Sequence, residues 1–279
     1  MKMKIVIGLL SSLFIIFASA SNASAQTYEE YVEAGVRAAD HAAYAEAEEC
    51  FRQALHKAPD DYRNALLYAN LAKVQIAQGK SMKALDSYDL ALAIAPLNIP
   101  ILLARANLLF ELGNYKRAII DYGKILDKNP QNVDALQASG YIYQQMGDYT
   151  KAQHCYNQLL EIDPDNYAAQ LGSALLQLNT NHKADGLAQL SSLIDKHPGK
   201  AELYTIRAQV ESENGQAELA IMDLNKAIEL DPNNSNTILT RAYLHKLMGN
   251  KRLAHHDFER AIELGVPRSS LKKELKETK

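Results

Sequence analysis

The sequence predicts an all-α chain built as a solenoid of stacked antiparallel helix hairpins, and three observations carry that expectation. Six prolines, Pro59, Pro96, Pro130, Pro164, Pro198 and Pro232, recur 37, 34, 34, 34 and 34 residues apart. Glycines keep the same interval at Gly79, Gly113 and Gly147, and again at Gly215 and Gly249. Helix formers dominate, Trp is absent, and Gly and Pro together number only 21, which disfavours strand-and-turn architectures. A fixed period of this size marks an array whose units bury apolar surface by stacking.

Each period reads as two helices. Small residues recur at Gly35, Ala72, Ala106, Gly140, Ala174, Ala208 and Ala242, and twelve residues later at Ala47, Ala84, Ala118, Ala152, Gly186, Ala220 and Ala254. Large side chains there would hold two helices apart. Four residues further come Phe51, Tyr88, Tyr122, Tyr156, Leu190, Leu224 and Phe258, with another apolar position three beyond, an i, i+4, i+7 stripe for the second helix. Gly at the midpoint suits a left-handed C-cap between the two helices, and Pro at the end stops the second.

With these residues in register the chain resembles the tetratricopeptide-repeat (TPR) family, whose 34-residue pattern has small residues at positions 8 and 20, a bulky one at 24 and Pro at 32. Seven repeats fall at 28–61, 65–98, 99–132, 133–166, 167–200, 201–234 and 235–268, with Tyr62, Arg63 and Asn64 inserted after the first. The resemblance implies a right-handed superhelical solenoid over 26–268, and the tail 269–279, with Leu271 and Leu275 among charges, reads as a solvating capping helix. Tyr31, Tyr68 and Tyr204 stand where the family has Trp. Repeat 5 departs furthest, with Gln170 at that position, Asn181 in its turn and Gly186 in its second helix. It is expected to be the least stable repeat, since Gly in a helix costs about 1 kcal/mol relative to Ala.

The N-terminus reads as a secretory signal, residues 1–25: Lys2 and Lys4, an apolar run from Ile5 to Ala20, then Ala23-Ser24-Ala25 before Gln26. The run is short for a bilayer span, so cleavage after Ala25 and a periplasmic or secreted product, without stable membrane insertion, are expected. The mature chain carries 28 basic against 33 acidic residues, which argues against nucleic acid as a partner. Cys50 and Cys155 both fall at position 23, three repeats apart, so helix spacing predicts free thiols.

Candidates for chemistry are few. His245, His255 and His256 form the densest histidine group, but adjacent helical residues diverge by about 100°, and no His pair has the i, i+4 spacing of a helical zinc site. No nucleophile-elbow, HExxH, Walker or dinucleotide motif occurs, so neither catalytic residues, metal nor cofactor is expected. The repeats with Asp at position 23, namely Asp121, Asp223 and Asp257, are the same three with Arg at position 7, Arg105, Arg207 and Arg241. The spacing predicts intra-repeat ion pairs.

On the first helix of each repeat, positions 4, 7, 8 and 11 form the packing stripe, leaving 2, 5, 6, 9, 12 and 13 opposite. The resemblance implies that this opposite side lines a concave ligand groove. It carries seven acids (Glu29, Glu33, Asp40, Glu111, Asp134, Glu202, Glu213) against Lys73 and Lys246. Its central repeats offer Asn70, Lys73, Asn107, Phe110, Tyr141 and Gln144, a mixture of amides and aromatics suited to an extended peptide. The carboxylate clamp of the family's chaperone-binding members is not matched, because position 5 reads Val32, Ala69, Leu103, Gln137, Leu171, Thr205 and Leu239. The expected function is a non-enzymatic protein-binding scaffold or adaptor of the cell envelope. A subunit bracing a larger envelope or secretion complex is the alternative, and an unrecognised hydrolase a third.

Overall fold

The computed structural model describes residues 27–180 and 182–279; the expected signal segment and Asn181 lie outside the described residues. Fifteen α-helices and no strand occur among them. In chain order they are α1 (Tyr28–Asp40), α2 (Tyr44–Lys57), α3 (Asn64–Ala77), α4 (Ser81–Ile94), α5 (Ile99–Glu111), α6 (Tyr115–Lys128), α7 (Val133–Gln145), α8 (Tyr149–Ile162), α9 (Tyr167–Leu178), α10 (Lys183–Lys196), α11 (Ala201–Glu213), α12 (Ala217–Leu230), α13 (Ser235–Leu247), α14 (Lys251–Glu263) and, after a 3₁₀ turn at Arg268–Leu271, α15 (Lys272–Glu277). The chain divides into two compact units, one reaching Ile142 and the other running from Tyr143 to Lys279. The boundary lies inside α7.

In both units the periodic residues make the core. Ala72, Ala84, Ala106 and Ala118 are fully buried in the first unit, as are Ala152, Ala174, Ala220 and Ala254 in the second. The bulky position-24 residues Phe51, Tyr122, Leu190, Leu224 and Phe258 are likewise at 0% exposure, so each hairpin closes over one large side chain. At Gly35 the closure is tight enough to exclude any side chain, because a Cβ there would lie 2.5 Å from the Phe51 ring.

The ends of the repeats explain the prolines and their neighbours. Two residues after Pro96, Pro130, Pro164 and Pro232 stand Asn98, Asn132, Asn166 and Asn234, and their side chains accept from Ile101 N, Ala135 N, Ala169 N and Thr237 N at 3.2, 2.9, 3.0 and 3.2 Å. Pro stops one helix and Asn starts the next, satisfying an amide that has no intrahelical acceptor.

Between the helices of a hairpin, Gly79, Gly113, Gly147, Gly215 and Gly249 adopt φ of 72–79°. The first repeat places Ala42 at this position with φ 58°, the one non-Gly residue of positive φ among those described. Its turn closes the same way, Ala43 N–H donating to the Ala38 carbonyl at 2.8 Å as Lys80 N–H does to Gln75. The left-handed conformation costs an L-residue about 1–2 kcal/mol, part of which is offset by the lower entropy of Ala in the unfolded chain. Ala42→Gly is therefore expected to raise stability by about 1 kcal/mol in urea denaturation; an unchanged or lowered midpoint would contradict this.

In repeat 5 the two departures from the pattern each have a specific neighbour. A Cβ on Gly186 would lie 2.8 Å from Leu178 Cγ and 2.9 Å from Leu178 N, so Gly is what admits the end of α9 against α10. Gln170 Nε2 donates to the Pro164 carbonyl at 2.6 Å, the bond that Tyr204 OH makes to Pro198 at 3.2 Å one repeat later. Each of these residues meets a neighbour that local pattern does not reveal. At the C-terminus Leu271 and Leu275 are buried against Ala242, Ala254 and Phe258, while Lys246 Nζ pairs with Glu277 at 2.6 Å. The tail thus covers the apolar end of the last hairpin.

Candidate partner-binding face

In the first unit a cavity of about 390 Å³ opens on the first helices α1, α3 and α5. Val32, Leu66, Leu67, Pro100, Ile101 and Ala104 give it apolar walls, Tyr28 and Tyr88 contribute rings, and Asn70, Asn98, Arg63 and Lys73 bring polar groups. Asn70 and Lys73 lie one turn apart on α3, so both reach the same side. Lys73 is half-buried, and burial lowers its pKa below the usual lysine value.

The aromatic residues of the face form a cluster beyond this cavity. Phe110 packs edge-on to Tyr141 with ring centroids 5.4 Å apart, and Tyr115 lies 5.6 Å from Phe110 and 6.5 Å from Tyr141. Both contacts of Tyr141 are the edge-to-face arrangement that aromatic quadrupoles favour, while the Phe110–Tyr115 pair is tilted. Tyr115, which opens α6, was not among the residues the groove pattern picked out. A signal for it exists, since Tyr44, Tyr115 and Tyr149 all stand at the first position of a second helix.

Two of the expected groove amides are already engaged. Asn107 Oδ1 accepts from the OH of the buried Tyr122 at 2.6 Å, leaving its amide NH₂ for a ligand. Gln144 belongs to the second unit, where its Oε1 accepts from Tyr156 OH at 3.1 Å. Both serve first to satisfy a buried tyrosine, which an unpaired phenol in the core would otherwise make costly. Of the groove acids, Glu29 is held by Arg63 at 3.0 Å and Glu202 accepts from Tyr167 OH at 2.5 Å.

The arginines at position 7 bind more than one partner. Arg105 grips Asp121 bidentately, Nε at 2.8 Å and Nη2 at 2.7 Å, and its Nη1 reaches Asp89 at 2.6 Å. Arg207 holds Asp223 at 2.6 and 2.8 Å and reaches Ser191 at 3.2 Å. Arg241 holds Asp257 at 2.8 Å through both nitrogens and reaches Asn225 at 2.7 Å. Asp89, Ser191 and Asn225 all stand sixteen residues before their Arg, in the preceding repeat. Each guanidinium therefore ties its own hairpin together with two donors and staples it to the previous one with a third, the fork geometry that Arg supplies and Lys does not.

No group of three His, Cys, Asp or Glu side chains placed to hold a metal ion occurs among the described residues. His255 Nδ1 is 3.1 Å from Thr278 Oγ1, and His245 is buried in α13, which lowers its pKa. Cys50 is half-buried and Cys155 buried, both free; burial pushes the Cys155 thiol up to about 11. No described helix is long and apolar enough to cross a membrane.

Comparison with known proteins agrees with this architecture. Tetratricopeptide-repeat family models match residues 101–132, 133–166 and 201–234. A tetratricopeptide repeat protein from Parabacteroides merdae ATCC 43184, solved by crystallography, is 31% identical over 91% of this chain and 99% of its own, with a TM-score of 0.74. The chain belongs to the tetratricopeptide-repeat family, whose fold serves as a protein-interaction scaffold. YrrB, described as a TPR protein with an unusual peptide-binding site, shares the fold at 20% identity and a TM-score of 0.54, over 68% of this chain and 97% of its own. No curated protein sequence matches the chain.

Proposed function

We propose that this protein is a non-enzymatic adaptor that captures an extended segment of another protein on the first-helix face of the first unit, from α3 to Tyr141 of α7. The observation that carries the reading is the half-buried and so part-accessible Phe110–Tyr115–Tyr141 cluster, in which Phe110 and Tyr141 lie on the first-helix positions that the packing stripe leaves free and Tyr115 joins them from the start of α6. Rigid aromatic rings bind with little loss of side-chain entropy and dominate hot spots. From Ala104 at the cavity to Phe110 is six residues of α5, about 9 Å of helix, a span that two or three residues of extended peptide bridge. YrrB's description as peptide-binding supports such a use of the fold.

The same proposal places the protein in the periplasm or outside the cell, on the strength of the basic, apolar and small-residue segments of residues 1–25. Mass spectrometry of the native protein should then find Gln26 at the N-terminus; an intact Met1 in the membrane fraction would overturn it.

To test the groove, the tagged protein is used to capture partners from an envelope fraction, and the captured protein is titrated against variants. Phe110→Ala with Tyr141→Ala is expected to weaken capture more than 100-fold, from two lost anchors of about 2 kcal/mol or more each. Phe110 packs against the core of the first unit, so the double variant should also lose about 1–3 kcal/mol of stability, and binding is read well below its melting range. Undiminished capture, or loss of capture instead on Leu90→Ala in the exposed part of α4, would refute the reading.

A further inference from the structure

The cavity on α1, α3 and α5 is lined by two cations in unlike states. Arg63 is neutralised twice over, by Asp61 at 2.6 Å and Glu29 at 3.0 Å, and its guanidinium stacks on the Tyr28 ring at 4.6 Å. Lys73 makes no hydrogen bond or ion pair with any described residue, although it is half-buried beside apolar walls. The contrast with Lys246, the other cation of the first-helix face, is sharp, since that one is held by Glu277 at 2.6 Å. A half-buried ammonium with no counter-ion gains from a ligand that supplies the opposite charge.

We infer that this cavity is a binding site for an apolar carboxylate, the apolar body filling the space between Val32, Leu66 and Ile101 and the carboxylate meeting Lys73 Nζ. A volume of about 390 Å³ lies within the range of small-ligand sites. Asn70, one turn before Lys73, adds an amide donor to a carboxylate placed there. Glu29 and Asp61 are engaged by Arg63, and no described acid lines the cavity itself. Two sources present this chemistry: a free apolar acid, or the C-terminal apolar residue of a polypeptide. The second would rest on the groove reading above; the first stands without it.

The test is calorimetric titration of the full chain with octanoate, with 1-octanol, and with an N-acetylated hexapeptide ending in leucine as free acid and as amide. Octanoate or the free-acid peptide is expected to bind, with the uncharged counterpart at least tenfold weaker. Lys73→Met should lower the affinity of the acid tenfold or more, while Lys73→Arg keeps most of it. Binding of both acids assigns the site to either source, and binding of the peptide alone assigns it to a chain end. An alcohol or amide that binds as tightly as its acid overturns the inference, as does the absence of any binding at millimolar acid. Those comparisons use the unaltered chain, so they hold even where Lys73→Met unfolds. Loss of partner capture on Phe110→Ala with Tyr141→Ala, alongside failure of the acids to bind, would leave the groove reading standing and remove this one.

Discussion

Arg105→Met is expected to destabilise the first unit by about 3–5 kcal/mol, and Asp121→Leu alone by a similar amount, whereas the two together should cost little. The reasoning starts from exposure: the Asp121 side chain is 2% exposed and that of Arg105 14%, so either charge left alone would stay buried without its partner. Burial by itself would lower the Arg105 pKa, but Asp121 and Asp89 outweigh it and raise it above the usual guanidinium value. Removing both charges removes the desolvation penalty along with the attraction, and Met and Leu fill comparable volume. Asp89 then loses one donor but keeps Arg117 at 3.0 Å and is 43% exposed, so its loss is small. Because units of a solenoid stabilise only their neighbours, the effect should stay local. Urea denaturation of the two single variants and the double variant gives the coupling directly; a double variant as unstable as the sum of the singles would show that the pair contributes no coupling.

The second large effect centres on Glu48, a carboxylate of α2 with a side chain only 9% exposed. It accepts from Lys80 Nζ at 2.8 Å, Arg52 Nη2 at 2.9 Å, Gln78 Nε2 at 2.9 Å and Gln75 Nε2 at 3.4 Å, tying the first hairpin to the second. Burial works to raise its pKa, yet these donors outweigh it and hold the group at about 2 against an ordinary 4.5. A carboxyl whose folded pKa is depressed adds stability that is fully present above its unfolded pKa and is lost as pH falls toward the folded one. Glu48→Gln is accordingly expected to cost about 2–3 kcal/mol at pH 7, at 1.36 kcal/mol per pKa unit, with some discount because Arg52 and Lys80 are themselves half-exposed. Near pH 3 the gap between the two proteins should shrink to about half, and near pH 2 it should almost close. A gap that stays constant from pH 7 to pH 3 would mean that the charge of Glu48 contributes nothing and that only its shape matters.

How much of this was legible beforehand differs by residue. The alternation of Ala72, Ala84 and Tyr88, repeated every 34 residues, requires two helices packed closely with a large ring between them, and that relation is local enough to be read from spacing alone. The pairing of Arg105 with Asp121 was legible for the same reason, since both lie in one hairpin whose geometry the period dictates. The third contact of each arginine was not, because Asp89, Ser191 and Asn225 differ in type and share only a position in the preceding repeat. At Gly186 a pattern of residue types registers the missing methyl group but not Leu178, whose backbone N would lie 2.9 Å from it.

For the candidate site the division follows the same physics. Spacing put Asn70, Lys73, Asn107, Phe110 and Tyr141 on the unpacked side of their helices, since helical phase is a property of the chain itself. Whether a polar group on that side is free depends instead on atoms that other elements bring within about 3 Å. Asn107 and Gln144 had their oxygens taken by tyrosines from the following helix, and Tyr115 entered the aromatic cluster from the start of α6. Lys73 was left without a counter-ion while Arg63 acquired two. The sequence by itself determined helix, hairpin and face, because each follows from periodicity along one chain. Only the tertiary structure decided which charges are satisfied and which await a partner, because hydrogen bonding falls away within an ångström and periodicity does not locate atoms that finely.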